Sequence, residues 1–255
     1  MREQPQQQPP PVQRLRLRYA KRGRLRFTSH RDFSRAFERA LFRARVPMAY
    51  SSGFNPHPRI SYAGAAPTGS ASEAEYVEIG LAEAMDPARA LADIDAALPD
   101  GLDVLEVVPS SGGSLADRLE ASWWRLTIEG VTPQEAAEAA DALLASEEVE
   151  VERMTKKGLR RFDARAAIVA LRPVADPPPA PGDSPPGQRV CAILDVVLRH
   201  GSPSVRPDDV LAALHQASGL RVTAALQQRL AQGPWDDEGG TVGDPLAPDR
   251  DAAGQ

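Results

Sequence analysis

Two groups of residues in this 255-residue chain have the types and spacing to do chemistry, and both lie in its first quarter. Arg31, Arg35, Arg39 and Arg43 recur every fourth position. On a helix such positions drift by only about 40° per step, so the four guanidinium groups form one row. Unpaired like charges in a row repel, and a bound anion removes that cost. Phosphate is the usual anion, because the arginine fork matches it with two parallel hydrogen bonds. The alternative reading is a solvated helix face.

The second group is the run from Ala49 to Ser61, AYSSGFNPHPRIS. Gly53 permits a turn with positive φ, while Pro56 and Pro58 fix φ on either side of His57. Pro58 also pushes His57 towards an extended conformation. The loop is therefore stiff and presents Tyr50, Phe54, Asn55, His57 and Arg59 at little ordering cost. Aromatic rings beside arginine and amide groups suit single-stranded RNA or a flat partner surface. The alternative is a rigid connector whose Phe54 plugs the core. A further basic patch, Lys156 and Lys157 followed by Arg160 and Arg161, sits in a hairpin-like turn and ends in Asp163. Basic turns are most often simply solvated.

Little else in the chain suggests catalysis. It has no GxSxG elbow, no phosphate-binding glycine loop and no CxxC. The single cysteine, Cys191, excludes a disulfide framework, a cysteine-rich zinc site and a self-held iron–sulfur cluster, each of which needs several thiols. His30, His57, His200 and His215 are scattered, so no metal site is expected. Glu73, Glu75 and Glu78 cluster beside Tyr76, which reads as the solvent face of a strand.

Charge is distributed unevenly. The net charge is −5, yet residues 1–60 hold 14 Arg or Lys against Glu3, Asp32 and Glu38. That segment is therefore +11 and the rest of the chain −16. With 27 Arg and 3 Lys, an arginine-rich genome accounts for the choice of Arg over Lys, but not for the absence of acids here. Such asymmetry points to a basic face that meets a polyanion or an acidic partner. No run of apolar residues is long enough to span a membrane, and the N-terminus has no apolar signal core. A cytoplasmic location is expected.

These groups need a scaffold, and the hydrophobic pattern suggests one. A strand over Val12–Tyr19 leads to a turn at Gly23 and a second short strand at Arg24–Phe27. A helix over Arg31–Arg45 follows, with Phe33, Ala36, Phe37, Ala40, Leu41 and Ala44 on its buried stripe. Ser29, three residues before Asp32, is its N-cap. Short strands near Arg59–Tyr62 and Glu75–Leu81, a helix from Asp86–Pro87 to Leu98 and a strand over Leu102–Val108 complete a β-α-β-β-α-β order. The second half repeats it more weakly. Strands fall at Trp123–Ile128, Val149–Met154, Phe162–Leu171 and Arg189–Arg199, and helices at Pro133–Ala145 and Arg206–Ala217. The expected architecture is α+β, two tandem ferredoxin-like units over 12–110 and 120–230. A Pro-rich loop at 174–188 interrupts the second. Residues 1–11 and the acidic segment 232–255 are expected to be disordered, because neither can bury enough apolar area to offset ordering.

Several motifs together resemble a known group. Phe27–Asp32 through Arg39–Ala40, Ala49–Arg59, Ser72–Tyr76 and Thr155–Gly158 are similar to the radical SAM-linked bacterial family, over roughly residues 12–230. That family often has Leu at the position of Arg31 and Gln at that of Ser52. Its domain occurs free or fused behind a cobalamin-binding radical SAM protein. Its genes tend to neighbour those of ribonuclease E/G and ribosomal proteins, and it has no settled activity. The resemblance therefore implies a partner rather than a reaction. SAM, an iron–sulfur cluster and cobalamin are expected on that partner, with no cofactor in this chain. The leading expectation is an accessory, non-catalytic subunit that docks a radical SAM enzyme and helps hold an RNA or ribosomal substrate. Two alternatives stand beside it. One is an RNA-modifying or RNA-cleaving enzyme using His57 or His30 as acid/base or Asp163 as nucleophile. The other is a purely structural adaptor.

Overall fold

The computed structural model describes residues 7–156, 158–174 and 191–253. The chain divides into two compact units, one running to Leu119 and resumed from Asp244, the other Glu120–Gly243. Both mix helices and strands.

The first unit contains β1 (Gln13–Lys21), α1 (His30–Arg43), β2 (Ile60–Ala63), β3 (Ala71–Leu81), α2 (Pro87–Ala97) and β4 (Leu102–Pro109). Its strands pair in the order β4-β1-β3-β2, every pairing antiparallel. Alternation along β1 sends Leu15, Leu17 and Tyr19 to one face, opposite Val77 and Ile79 of β3. There they pack with Phe33, Phe37 and Leu41 of α1 and Ile94 of α2. Each such apolar side chain contributes about 1.5–3 kcal/mol when fully buried. The N-cap forms as expected, the Ser29 hydroxyl accepting from the Asp32 amide at 3.2 Å.

The short strand expected at Arg24–Phe27 is instead a 3₁₀ turn over Gly23–Phe27. Gly23 takes φ of 52°, and the amides of Leu25 and Thr28 close i→i+3 bonds onto Arg22 and Leu25. Four residues of alternation are too few to outweigh that turn. The expected solvent face of β3 is also corrected. Glu75 is buried, Glu73 pairs with Arg22, and Glu78 pairs with Arg14 and Arg16 at 2.9 and 2.8 Å. Glu78 thus answers two arginines of β1, Glu73 answers Arg22 just after it, and Glu75 accepts from the Ala66 amide.

The second unit contains β5 (Ala121–Glu129), α3 (Pro133–Ala145), β6 (Glu150–Thr155), β7 (Gly158–Asp163), β8 (Ile168–Pro173), β9 (Cys191–Arg199), α4 (Pro207–Ser218) and β10 (Ala225–Gly233). Its main strands pair β10-β5-β9-β8, again antiparallel throughout, while β6 and β7 form a separate hairpin. Thr132 and Glu135 cap α3 reciprocally. The single run expected over Phe162–Leu171 breaks after Asp163. Its carboxylate accepts from the amides of Val149, Arg165 and Ala166 at 3.0, 2.8 and 3.1 Å, and so fixes a 3₁₀ turn at Arg165–Ala167. Of the Pro-rich loop, residues 175–188 lie outside the described residues.

Residues 232–253 are ordered, contrary to the composition-based expectation. A small hairpin of β11 (Trp235–Asp236) and β12 (Thr241–Val242) is followed by α5 (Ala247–Ala253). Leu246 joins a second core cluster with Tyr76, Val108, Leu115 and Leu119, and Asp249 is buried. Average composition hides the few residues that find partners. At the other end, residues 1–6 lie outside the described set, and the Gln8 amide donates to the Ser52 hydroxyl. Among the described residues no helix is long and apolar enough to cross a membrane.

Candidate nucleic-acid interface

The stripe that buries Phe33, Phe37 and Leu41 turns the other face of α1 outwards, and Arg31, Arg35, Arg39 and Arg43 are all exposed there. Among the basic residues of the N-terminal segment, two groups contrast. Arg14, Arg16, Arg18 and Arg22 of β1 and its following turn each meet a carboxylate of β3 or β4. Among the described residues the four arginines of α1 meet none. Arg43 donates only to the carbonyl of Ala97. The excess positive charge of this segment is thus neutralised inside the fold along β1 and left open along α1.

The loop after α1 is held at its base and free at its tip. Met48 bridges to Leu81, the Ala49 amide donates to Gly80 and the Gly80 amide to Arg59, at 2.8 and 2.9 Å. Tyr50 bridges to Pro58, and the Ser51 amide donates to His57 at 2.8 Å. The loop is therefore a pinched hairpin fixed to the end of β3. The fit at its base leaves no room for a side chain at Gly80, where a Cβ would come within 2.9 Å of Pro11 and 3.2 Å of Arg59. Gly53 takes φ of 136° near the tip. Phe54 is 71% exposed and so does not plug the core, and Asn55 and His57 are exposed beside it. Arg59 is half-buried, its Nε donating to the Tyr50 carbonyl at 3.1 Å.

A groove of 550 Å³ joins the helix to the hairpin, lined by Glu38, Phe42, Arg43 and Arg45 on one side and by Tyr50 and Pro58 on the other. A cleft of 1130 Å³ lies on the other flank of α1, lined by Arg39, Arg43, Arg45 and Arg89 with Asp86 and Asp93. The structure thus brings Arg43 and Tyr50 to one groove. Residues 14–207, which include this whole surface, match the family described as uncharacterized proteins conserved in bacteria, DUF2344. The chain belongs to this family. Among curated proteins none matches it. The family match ends within α4, so β10 and α5 fall outside it.

The remaining sequence candidates of this family member are divided between the two units. Lys156 is exposed in the turn of the β6–β7 hairpin, and Lys157 lies outside the described residues. His30 begins α1 and packs edge-on against Tyr62, the ring centroids 4.9 Å apart. Burial pushes the Tyr62 hydroxyl above its usual range. The oxygens of Asp163 are spent on the three backbone amides that shape its turn, a role sufficient to account for that residue. No group of metal-ligating side chains occurs among the described residues.

Sequence reasoning missed two residues of the groove. Phe42 is 84% exposed, the one large apolar side chain of α1 out of phase with its buried stripe, and that phase error was the available signal. Arg45 closes the helix. The Arg45 amide bonds to Phe42 and the Val46 amide to Leu41, the six-to-one pattern of a helix stop, with Arg45 at φ of 53° where glycine is usual. No sequence rule places arginine there.

Proposed function

We propose that the chain is an accessory, non-catalytic subunit that docks a cobalamin-binding radical SAM enzyme in the cytoplasm and holds an RNA substrate for it. The observation that carries this reading is the row of exposed arginines on α1 that lacks carboxylate partners among the described residues, beside a stiff hairpin with an exposed aromatic tip. Arginines paired with carboxylates are neutralised within the fold, whereas a row without such partners offers its charge and its bidentate forks to phosphates. The radical SAM partner is supported by the motif resemblance. In the same reading both units are ferredoxin-like. The strand orders β4-β1-β3-β2 and β10-β5-β9-β8, with helices as crossovers, support that assignment.

The hairpin tip is assigned to the protein partner, and Phe54 and His57 test it. Phe54→Ala is expected to leave the melting temperature unchanged, since the ring is already exposed, and to weaken binding to the purified partner by about 2 kcal/mol. His57→Gln is expected to leave reconstituted activity nearly unchanged. A general acid/base would contribute about 10²–10⁴-fold to turnover. A purified chain that cleaves or modifies RNA without any partner, and loses that activity in His57→Gln, overturns the accessory role. Pull-down from extract should recover RNA, and ribonuclease should remove it while the protein partner stays bound.

A further inference from the structure

We propose that the groove between α1 and the hairpin is a subsite for one unstacked nucleotide of single-stranded RNA, its base against Phe42 and Tyr50 and its phosphate on Arg45. This rests on the RNA-holding reading and assigns a place and a strand state within it. Phe42 is 84% exposed on a helix whose other large apolar residues are buried, so the ring has no part in the core. Tyr50 faces the same 550 Å³ space and is also exposed. That volume lies within the roughly 300–1,000 Å³ range of small-ligand sites. Two aromatic rings bordering one groove offer a stacking platform that any base can use, and a base is free to stack only when it is out of a duplex.

The charge of the groove selects an anion. Arg43 and Arg45 line it, and neither has a carboxylate partner among the described residues. Arg45 also holds a left-handed backbone conformation, φ 53°, that glycine adopts without strain. That conformation closes α1, and it carries the Arg45 side chain to the border of both the groove and the cleft on the far flank of α1. Glu38 is the one carboxylate lining the groove. It can accept a hydrogen bond from an amino group on a base edge, and it disfavours phosphate on its own side.

The test uses the full chain with a short fluorescent single-stranded oligonucleotide and a duplex RNA of the same length. Phe42→Ala should weaken single-strand binding about tenfold, with an unchanged salt slope and unchanged duplex binding. Arg45→Gly should relieve backbone strain, keeping or raising the melting temperature. It should also weaken binding and flatten the salt slope by about 0.7. If Phe42→Ala binds single strands like the wild type while the α1 arginine variants lose binding, the subsite is overturned and the RNA reading survives. If the wild type binds no RNA at any salt, both fall. If Phe42→Ala loses the protein partner but not RNA, the groove is a protein contact and the subsite is overturned.

Discussion

Asp249→Ala is expected to destabilise the protein by about 3 kcal/mol, because it removes the carboxylate that Arg118 and the buried Arg16 share and leaves Arg16 only Glu78 as its counter-charge. The Arg16 side chain is 0% exposed and uses all five of its N–H groups. Nε bonds Glu78 at 2.8 Å, Nη1 bonds both oxygens of Asp249 at 3.0 Å, and Nη2 bonds the carbonyls of Gly112 and Gly113 at 3.0 and 2.6 Å. Asp249 also accepts from Arg118 at 2.7 Å and from the amide and hydroxyl of Ser111 at 2.8 and 2.6 Å. Removing the carboxylate leaves two guanidinium groups around an apolar methyl and releases the roughly two turns of α5. Asp249→Asn, which keeps the shape and loses the charge, should cost less.

The same cluster sets an acid limit on stability. Burial alone would raise the Asp249 carboxyl, but hydrogen bonds from Ser111, Arg16 and Arg118 outweigh it and hold the group below the usual carboxylate range. Glu78 is likewise held low, the bonds from Arg16 and Arg14 overcoming its partial burial. A carboxyl whose pKa is depressed in the folded state stabilises above its unfolded value, near 4, and loses that contribution as pH falls through the folded value. Chemical denaturation from neutral pH down to about pH 3 should therefore show a fall in wild-type stability that is smaller in Asp249→Ala.

Local patterns were legible in the sequence wherever a local cause acts. The cap at Ser29 and the 3–4 spacing of Phe33, Phe37 and Leu41 locate α1 to within two residues at each end. Pro133 at the first position does the same for α3, whose capping box of Thr132 and Glu135 the structure adds. What was misread depends on distance or on a backbone turn. Arg24–Phe27 alternates like a strand, yet the positive φ of Gly23 commits it to a 3₁₀ turn. Asp163 interrupts an apparently continuous strand because its carboxylate caps amides on both sides. Arg16 and Asp249 are separated by 233 positions, so no window of sequence could pair them, and the acidic C-terminal segment read as unstructured. The same limit applies to the candidate interface. Counting charges marked the N-terminal segment as basic, but only the fold distinguishes the arginines that β3 and β4 neutralise from those on α1 that no carboxylate answers among the described residues.

That distinction is the central claim, and the salt dependence of RNA binding measures it. Arg35, Arg39 and Arg43 are exposed, outside the core and without ion pairs among the described residues, and only Arg43 makes a hydrogen bond, an exposed one to the Ala97 carbonyl, so changing all three to Gln should shift the melting temperature little. Each phosphate contact to a single strand contributes about 0.7 to the slope of log K against log salt, so losing three should flatten the slope by about 2. At about 0.1 M salt the same loss corresponds to roughly 10²-fold weaker binding. The decisive measurement is therefore the affinity of the wild type and the triple variant for one single-stranded RNA across a salt series. The account predicts a shallower line and a large loss of affinity at low salt for the variant. Two coincident lines would show that the α1 arginines are only a solvated face, and would contradict it.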